Sequence, residues 1–114
     1  MDEIALIEKY LSPLTKKFKE ALSLEDDAAI LERNNRNNVI SVDNFIHGVH
    51  CPLELSPDLS VYRAVIIAAS DLAAMASKPY CMFISISLSN SCSIDNIKKI
   101  VKGIKRSIKH TNLK

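Results

Sequence analysis

One stretch, Pro57 to Ser77, constrains the fold more than any other: a helix of small and apolar side chains, with five alanines between Ala64 and Ala74, that carries a single internal carboxylate, Asp71. Proline is preorganised for the first helical position and an acidic residue suits the first turn, so Pro57 and Asp58 mark its start. Val61, Val65, Ala68, Leu72 and Met75 line one side, and the alanines make the helix slim enough for close packing on a sheet. A charge buried alone there costs several kcal/mol. Asp71 must therefore be exposed, hydrogen-bonded or close to a cation. Two further acidic positions favour the cation: the pair Asp26 and Asp27, and Asp43 inside the apolar run Val39, Ile40, Val42, Phe45 and Ile46. Together they point to a metal-phosphate site.

Around this helix the pattern predicts an α+β fold. A first helix spans about Asp2 to Leu11, with Ile4, Ile7 and Leu11 on one side, acidic residues in its first turn, and Pro13 as its stop. Leu14 to Leu24 has helical spacing crowded by Lys16, Lys17 and Lys19. Ala28 to Glu32 reads as a short strand, the polar run Asn34 to Asn38 as a turn, and Val39 to Ile46 as the antiparallel partner. After Pro79, Met82, Ile84, Ile86 and Leu88 alternate with Phe83, Ser85 and Ser87, the mark of a half-buried strand. The last helix runs from about Ile94 to Lys109, capped by Ser93, with Ile94, Ile97, Val101, Ile104 and Ile108 at steps of three and four. The expected architecture is a small mixed or antiparallel sheet with helices on one face. Its strands are too few to cover both sheet faces without a partner.

At 114 residues the chain is expected to form a single domain, and its 47% hydrophobic and 25% charged composition is that of a globular protein. No stretch reaches transmembrane length and the start is acidic, so the cytoplasm is expected and a membrane partner is not. Cys51, Cys81 and Cys92 form no C-x-x-C pair, which removes a disulfide framework and a zinc ribbon. Two glycines in the whole chain leave no glycine-rich phosphate loop, so any bound phosphate needs metal ions. His47, His50 and Cys51 invite a zinc reading, but the histidines are three apart and no second ligand cluster appears. Seven basic residues and no acidic ones lie between Lys98 and Lys114. Without interleaved aromatic residues this is a solvated helix face, and nucleic acid is not an expected partner.

Four features, in order along the chain, carry a family resemblance. They are the opening helix with Glu3 and Ile7; Asp26, Asp27, Ala28 and Ala29, like G-D-D-A-A; Ser41, Val42 and Asp43 followed by Gly48, Val49 and His50, like S-T-D-x-x-x-x-G-V-H; and Ser70 to Met75 followed by Pro79, like S-D-L-A-A-M-G-x-x-P. The chain resembles the amino-terminal domain of the thiamine-monophosphate kinase family, within the superfamily of aminoimidazole-ribonucleotide synthetase and selenophosphate synthetase. The resemblance implies an amino-terminal ATP- and Mg²⁺-binding domain over residues 1–114 that pairs its sheet with that of a second subunit in a homodimer. It implies transfer of the γ-phosphoryl group of ATP to thiamine monophosphate, giving thiamine diphosphate. Mg²⁺ would offset the charge of two polyanions, with ATP as co-substrate. Carried over by position, Asp27, Asp43 and Asp71 are metal-binding carboxylates, Ser41 is a weaker oxygen ligand, His50 contacts thiamine monophosphate, and Asp26 is accessory. No catalytic residue is assigned.

The departures matter as much. Glu25 stands where the family usually has glycine, Val42 replaces a metal-binding threonine, Ala68 an asparagine and Ala76 a glycine. The chain also stops before the family's G-G-D-T strand and carboxy-terminal domain. It is therefore expected to be a fragment inactive alone, with a separate carboxy-terminal half as one arrangement. The alternative is a non-catalytic dimerisation or regulatory module that kept the fold. From the residues alone, Asp26 and Asp27 serve equally as turn or cap residues, and His50 as a polar loop residue.

Overall fold

The computed structural model describes residues 2–25 and 38–113. They belong to two compact units, Met1–Asn38 and Val39–Leu113.

In the first unit, helix α1 (Glu3–Leu6) starts at Asp2, whose carboxylate accepts the Ala5 N–H at 2.8 Å. That bond satisfies one of the N–H groups every helix start leaves open. The backbone then widens into a π-helical turn at Ile7–Leu11 and tightens into a 3₁₀ turn at Ser12–Thr15. Pro13 lies at the start of that turn, where its missing N–H removes no bond, so it changes the helix type instead of stopping the helical path. A further 3₁₀ segment, Lys19–Leu24, is kinked where Leu22 and Ser23 take positive φ. Phe18, between the two 3₁₀ segments, is buried.

The second unit is built on two 18-residue helices, α2 (Pro57–Ala74) and α3 (Ile94–Thr111), that pack against each other. Ser93 caps α3 as expected, its hydroxyl accepting the Asn96 N–H at 3.2 Å. Ile97, Val101 and Ile104 of α3 are buried, as is Val65 of α2, while the basic residues of α3 from Lys98 to Lys109 are exposed. Gly103 makes this packing possible: a Cβ there would lie 2.3 Å from the Asp58 carbonyl oxygen and 2.3 Å from Val61 Cγ1. Ser107, one turn later, is fully buried, and its hydroxyl is satisfied by the Ile104 carbonyl at 2.8 Å. Next to Val61, the Tyr62 hydroxyl bonds His110 Nδ1, and the Arg106 guanidinium lies 4.6 Å from the Tyr62 ring centroid.

Helix α2 ends in a Schellman motif. The Ala76 N–H reaches the Ala73 carbonyl at 3.0 Å and the Ser77 N–H reaches that of Leu72 at 2.8 Å. This geometry needs a left-handed residue, and Ala76 takes it with φ of 53°.

The expected sheet is corrected by the structure. Among the described residues there is no strand, only an isolated bridge between His47 and Cys51. The strand expected at Ala28 to Glu32 lies outside the described residues. Val39–Ile46 and Met82–Leu88 carry no regular secondary structure up to His47 and Ser89 respectively, and Ile40, Val42 and Phe83 are 83%, 87% and 72% exposed. A ladder needs a neighbouring backbone, whereas alternation and β-branched composition report only a surface able to be half buried. Of the helices that were to cover one sheet face, α2 and α3 pack on each other. No helix among the described residues is long and apolar enough to cross a membrane.

Candidate functional site

The second unit brings two of the expected site residues into contact. Ser41, ahead of the loop that leads to α2, donates its hydroxyl hydrogen to Asp71 Oδ2 at 2.8 Å, across 30 positions of sequence. Asp71 sits in the last turn of α2 and is exposed, and Ser41 is half-buried. Neighbouring Ser70 turns away from this contact, its hydroxyl donating to the Ile67 carbonyl at 2.6 Å. The result is a carboxylate held by a hydroxyl at the rim of a helix end, a pair of hard oxygen donors of the kind Mg²⁺ takes.

The other positions are less gathered. Asp43 is exposed, two residues beyond Ser41. Val42 between them offers no oxygen ligand. Asp26 and Asp27 lie outside the described residues. Among the described residues no three His, Cys, Asp or Glu side chains form a metal-binding group. The Ser41 and Asp71 pair fits Mg²⁺ in donor chemistry and supplies two oxygen-bearing side chains of the set.

His50 is held by its own turn. The Ile46 N–H donates to His50 Nδ1 at 2.8 Å, and the ring tilts by 32° over Phe45 with centroids 5.6 Å apart. With Nδ1 accepting, the hydrogen of the neutral ring belongs on Nε2, so His50 offers a single N–H donor. Gly48 shapes the turn: its φ of 84° is left-handed, and a Cβ there would meet Leu53 Cδ2 at 2.6 Å. The Val49 and His50 N–H groups both reach the Ile46 carbonyl, at 3.0 and 2.9 Å.

A second cluster joins His47 and Cys51, weighed in the sequence only as zinc ligands, to Ser60, which the sequence did not point to. His47 Nδ1 lies 3.0 Å from Ser60 Oγ and 3.6 Å from Cys51 Sγ, and His47 Nε2 lies 2.8 Å from the Leu53 carbonyl oxygen. The only sequence signal for it was the spacing of four between His47 and Cys51. His47 and His50 have different partners, which separates the histidines of the zinc reading.

At the start of α2, Ser56 donates its hydroxyl hydrogen to Asp58 Oδ1 at 2.6 Å. This bond holds the Asp58 carboxyl below the ordinary carboxylate range, against an opposing push from burial, with help from backbone N–H groups and Lys102.

These segments coincide with a known domain. The family model described as AIR synthase related protein, N-terminal domain, matches residues 25–114, and the chain belongs to that family. Within it, the chain is similar to thiamine-monophosphate kinases. It is 32% identical over 99 residues to the one from Caulobacter vibrioides, covering 86% of this chain and 28% of the relative. It is 28% identical over 111 residues to that of Pyrococcus abyssi, covering 97% and 36%, and 34% identical over 95 residues to that of Buchnera aphidicola subsp. Acyrthosiphon pisum, covering 81% and 29%. The chain thus spans about a third of the length of these curated relatives. No solved structure matches it.

Proposed function

We propose that this chain is the amino-terminal, metal- and ATP-binding part of a thiamine-monophosphate kinase. A phosphate oxygen of thiamine monophosphate attacks the γ-phosphorus of ATP, a new P–O–P bond forms, the bond to the β-phosphate oxygen breaks, and ADP leaves. What carries the reading is the 2.8 Å bond between Ser41 and Asp71, which joins two motif segments 30 residues apart.

In this reading Asp27, Asp43 and Asp71 hold Mg²⁺ with Ser41 as an added oxygen donor and Asp26 as accessory. The metal offsets phosphate charge and aligns donor with acceptor. The Ser41 hydroxyl fixes the Asp71 carboxylate. His50 donates its Nε2 hydrogen to the acceptor's phosphate. Contacts beyond this third of the enzyme would come from its carboxy-terminal part. The exposed apolar side chains of Ile40, Val42 and Phe83 support a homodimer in which a second copy covers them.

Titration calorimetry with Mg²⁺ and a non-hydrolysable ATP analogue tests this. Wild-type chain is expected to bind, with affinity about tenfold or more weaker in Asp71→Asn, a loss of about 1.4 kcal/mol. Sedimentation of the same sample is expected at twice the monomer mass. Absence of binding at millimolar analogue would overturn the reading and favour a non-catalytic module built on the same fold.

A further inference from the structure

His47, Cys51 and Ser60 form a cluster that the phosphoryl-transfer reading does not use. The Leu53 carbonyl can only accept a hydrogen bond, so His47 Nε2, 2.8 Å away, carries the ring hydrogen and donates it there. Nδ1 therefore carries the lone pair and is the base of the cluster. It lies 3.6 Å from Cys51 Sγ and 3.0 Å from Ser60 Oγ, while Sγ and Oγ are 3.5 Å apart. A nucleophile, a base in reach of its proton and a third group that fixes the base are the parts of an activated thiol.

We propose that Cys51 is a modification site for small hydroperoxides, with His47 as the base that accepts the thiol proton. The S–H proton passes to His47 Nδ1 as sulfur attacks one peroxide oxygen. The S–O bond forms, the O–O bond breaks, and the departing oxygen takes the proton back from His47 to leave as water or an alcohol. Sulfur loses two electrons, the peroxide gains two, and Cys51 becomes a sulfenic acid.

The Ser60 hydroxyl lies within reach of both Nδ1 and Sγ, so it can turn its hydrogen to Sγ once Nδ1 is protonated. Cys51 is 6% exposed, which selects a reagent of two or three heavy atoms over a bulky disulfide. Cys92 is an internal control. It is more exposed, and among the described residues its sulfur bonds only the Ser93 carbonyl, at 3.8 Å, with no imidazole beside it.

The test treats the full chain with hydrogen peroxide near pH 7, traps sulfenic acid with dimedone, and follows each cysteine peptide by mass spectrometry. Cys51 is expected to label about tenfold or more faster than Cys92, because a positioned base contributes about 10²–10⁴ in rate and burial takes part of that back. In His47→Gln the Cys51 rate should fall at least tenfold while that of Cys92 holds, with the helical circular dichroism unchanged. Labelling of Cys51 no faster than Cys92, or unaltered by His47→Gln in folded protein, overturns the proposal. Should that variant lose its helical spectrum, the wild-type ratio of Cys51 to Cys92 decides.

Discussion

Gly103→Ala sets two known effects against each other at the α2–α3 contact. Alanine is the better helix former by about 1 kcal/mol, so on propensity alone the substitution stabilises. Packing opposes it. The new Cβ would sit 2.3 Å from the Asp58 carbonyl oxygen and 2.3 Å from Val61 Cγ1, where ordinary contact begins at 3.4 Å. The helices must separate by about 1 Å, the difference between those distances. Neither neighbour yields easily. Asp58 contributes backbone in the first turn of α2, and Val61 is β-branched and stiff at χ1. Overpacking of this kind costs about 1–3 kcal/mol, and contact with backbone argues for the upper half of that range. The net expectation is a loss of about 1–2 kcal/mol, or roughly 4–8 °C in melting temperature for a chain of this size. Urea unfolding followed by far-ultraviolet circular dichroism reads the change. A variant more stable than wild type would refute the close approach of α3 to Asp58, because propensity would then be acting unopposed.

Ala76→Gly should act in the opposite direction: a left-handed L-residue costs about 1–2 kcal/mol, glycine gives back about 0.4–1 in unfolded-state entropy, and a gain of up to about 1 kcal/mol remains for the same urea titration. A lower stability would mean that position 76 does not need φ of 53°. Ser56→Ala removes the foremost cause of the lowered Asp58 pKa, so the Asp58 titration followed by carbon NMR should move up toward its ordinary 3.8. A carboxyl whose pKa is lowered by folding contributes stability above its ordinary pKa and loses it as pH falls through the folded value. The variant should therefore lose stability at neutral pH and show a shallower decline below about pH 4. Because Ser56 makes no side-chain capping bond, an unmoved Asp58 midpoint would reject this assignment outright.

What the sequence disclosed was local. Ser93 before a run of isoleucines at steps of three and four announces α3, and Pro57 followed by Asp58 announces α2, because caps and periodicity are written into neighbouring residues. The packing of those helices was not legible. Gly103 in a basic helix reads as a weak point of propensity until Asp58 and Val61 are seen against it. The left-handed residue after α2 was signalled only by the glycine the family has at position 76, since an alanine by itself does not announce one. Alternation at Met82–Leu88 misled because pairing depends on a second segment that the pattern itself does not specify.

The site divides along the same line. Nothing within ten residues of Ser41 announces Asp71, and only the order of motifs along the chain linked them. The first reason for singling out Asp71, the cost of burying a charge, does not apply, since its carboxylate is exposed. A different cost replaces it. Asp71 lies in the last turn of α2, which contains no basic residue. There the carboxylate faces the negative end of the helix dipole, unfavourable by about 0.3–1 kcal/mol. The Ser41 hydroxyl offsets part of this by donating to Oδ2 but brings no positive charge. A divalent cation would reverse the sign of that interaction, as the proposed metal-binding role of Asp71 requires.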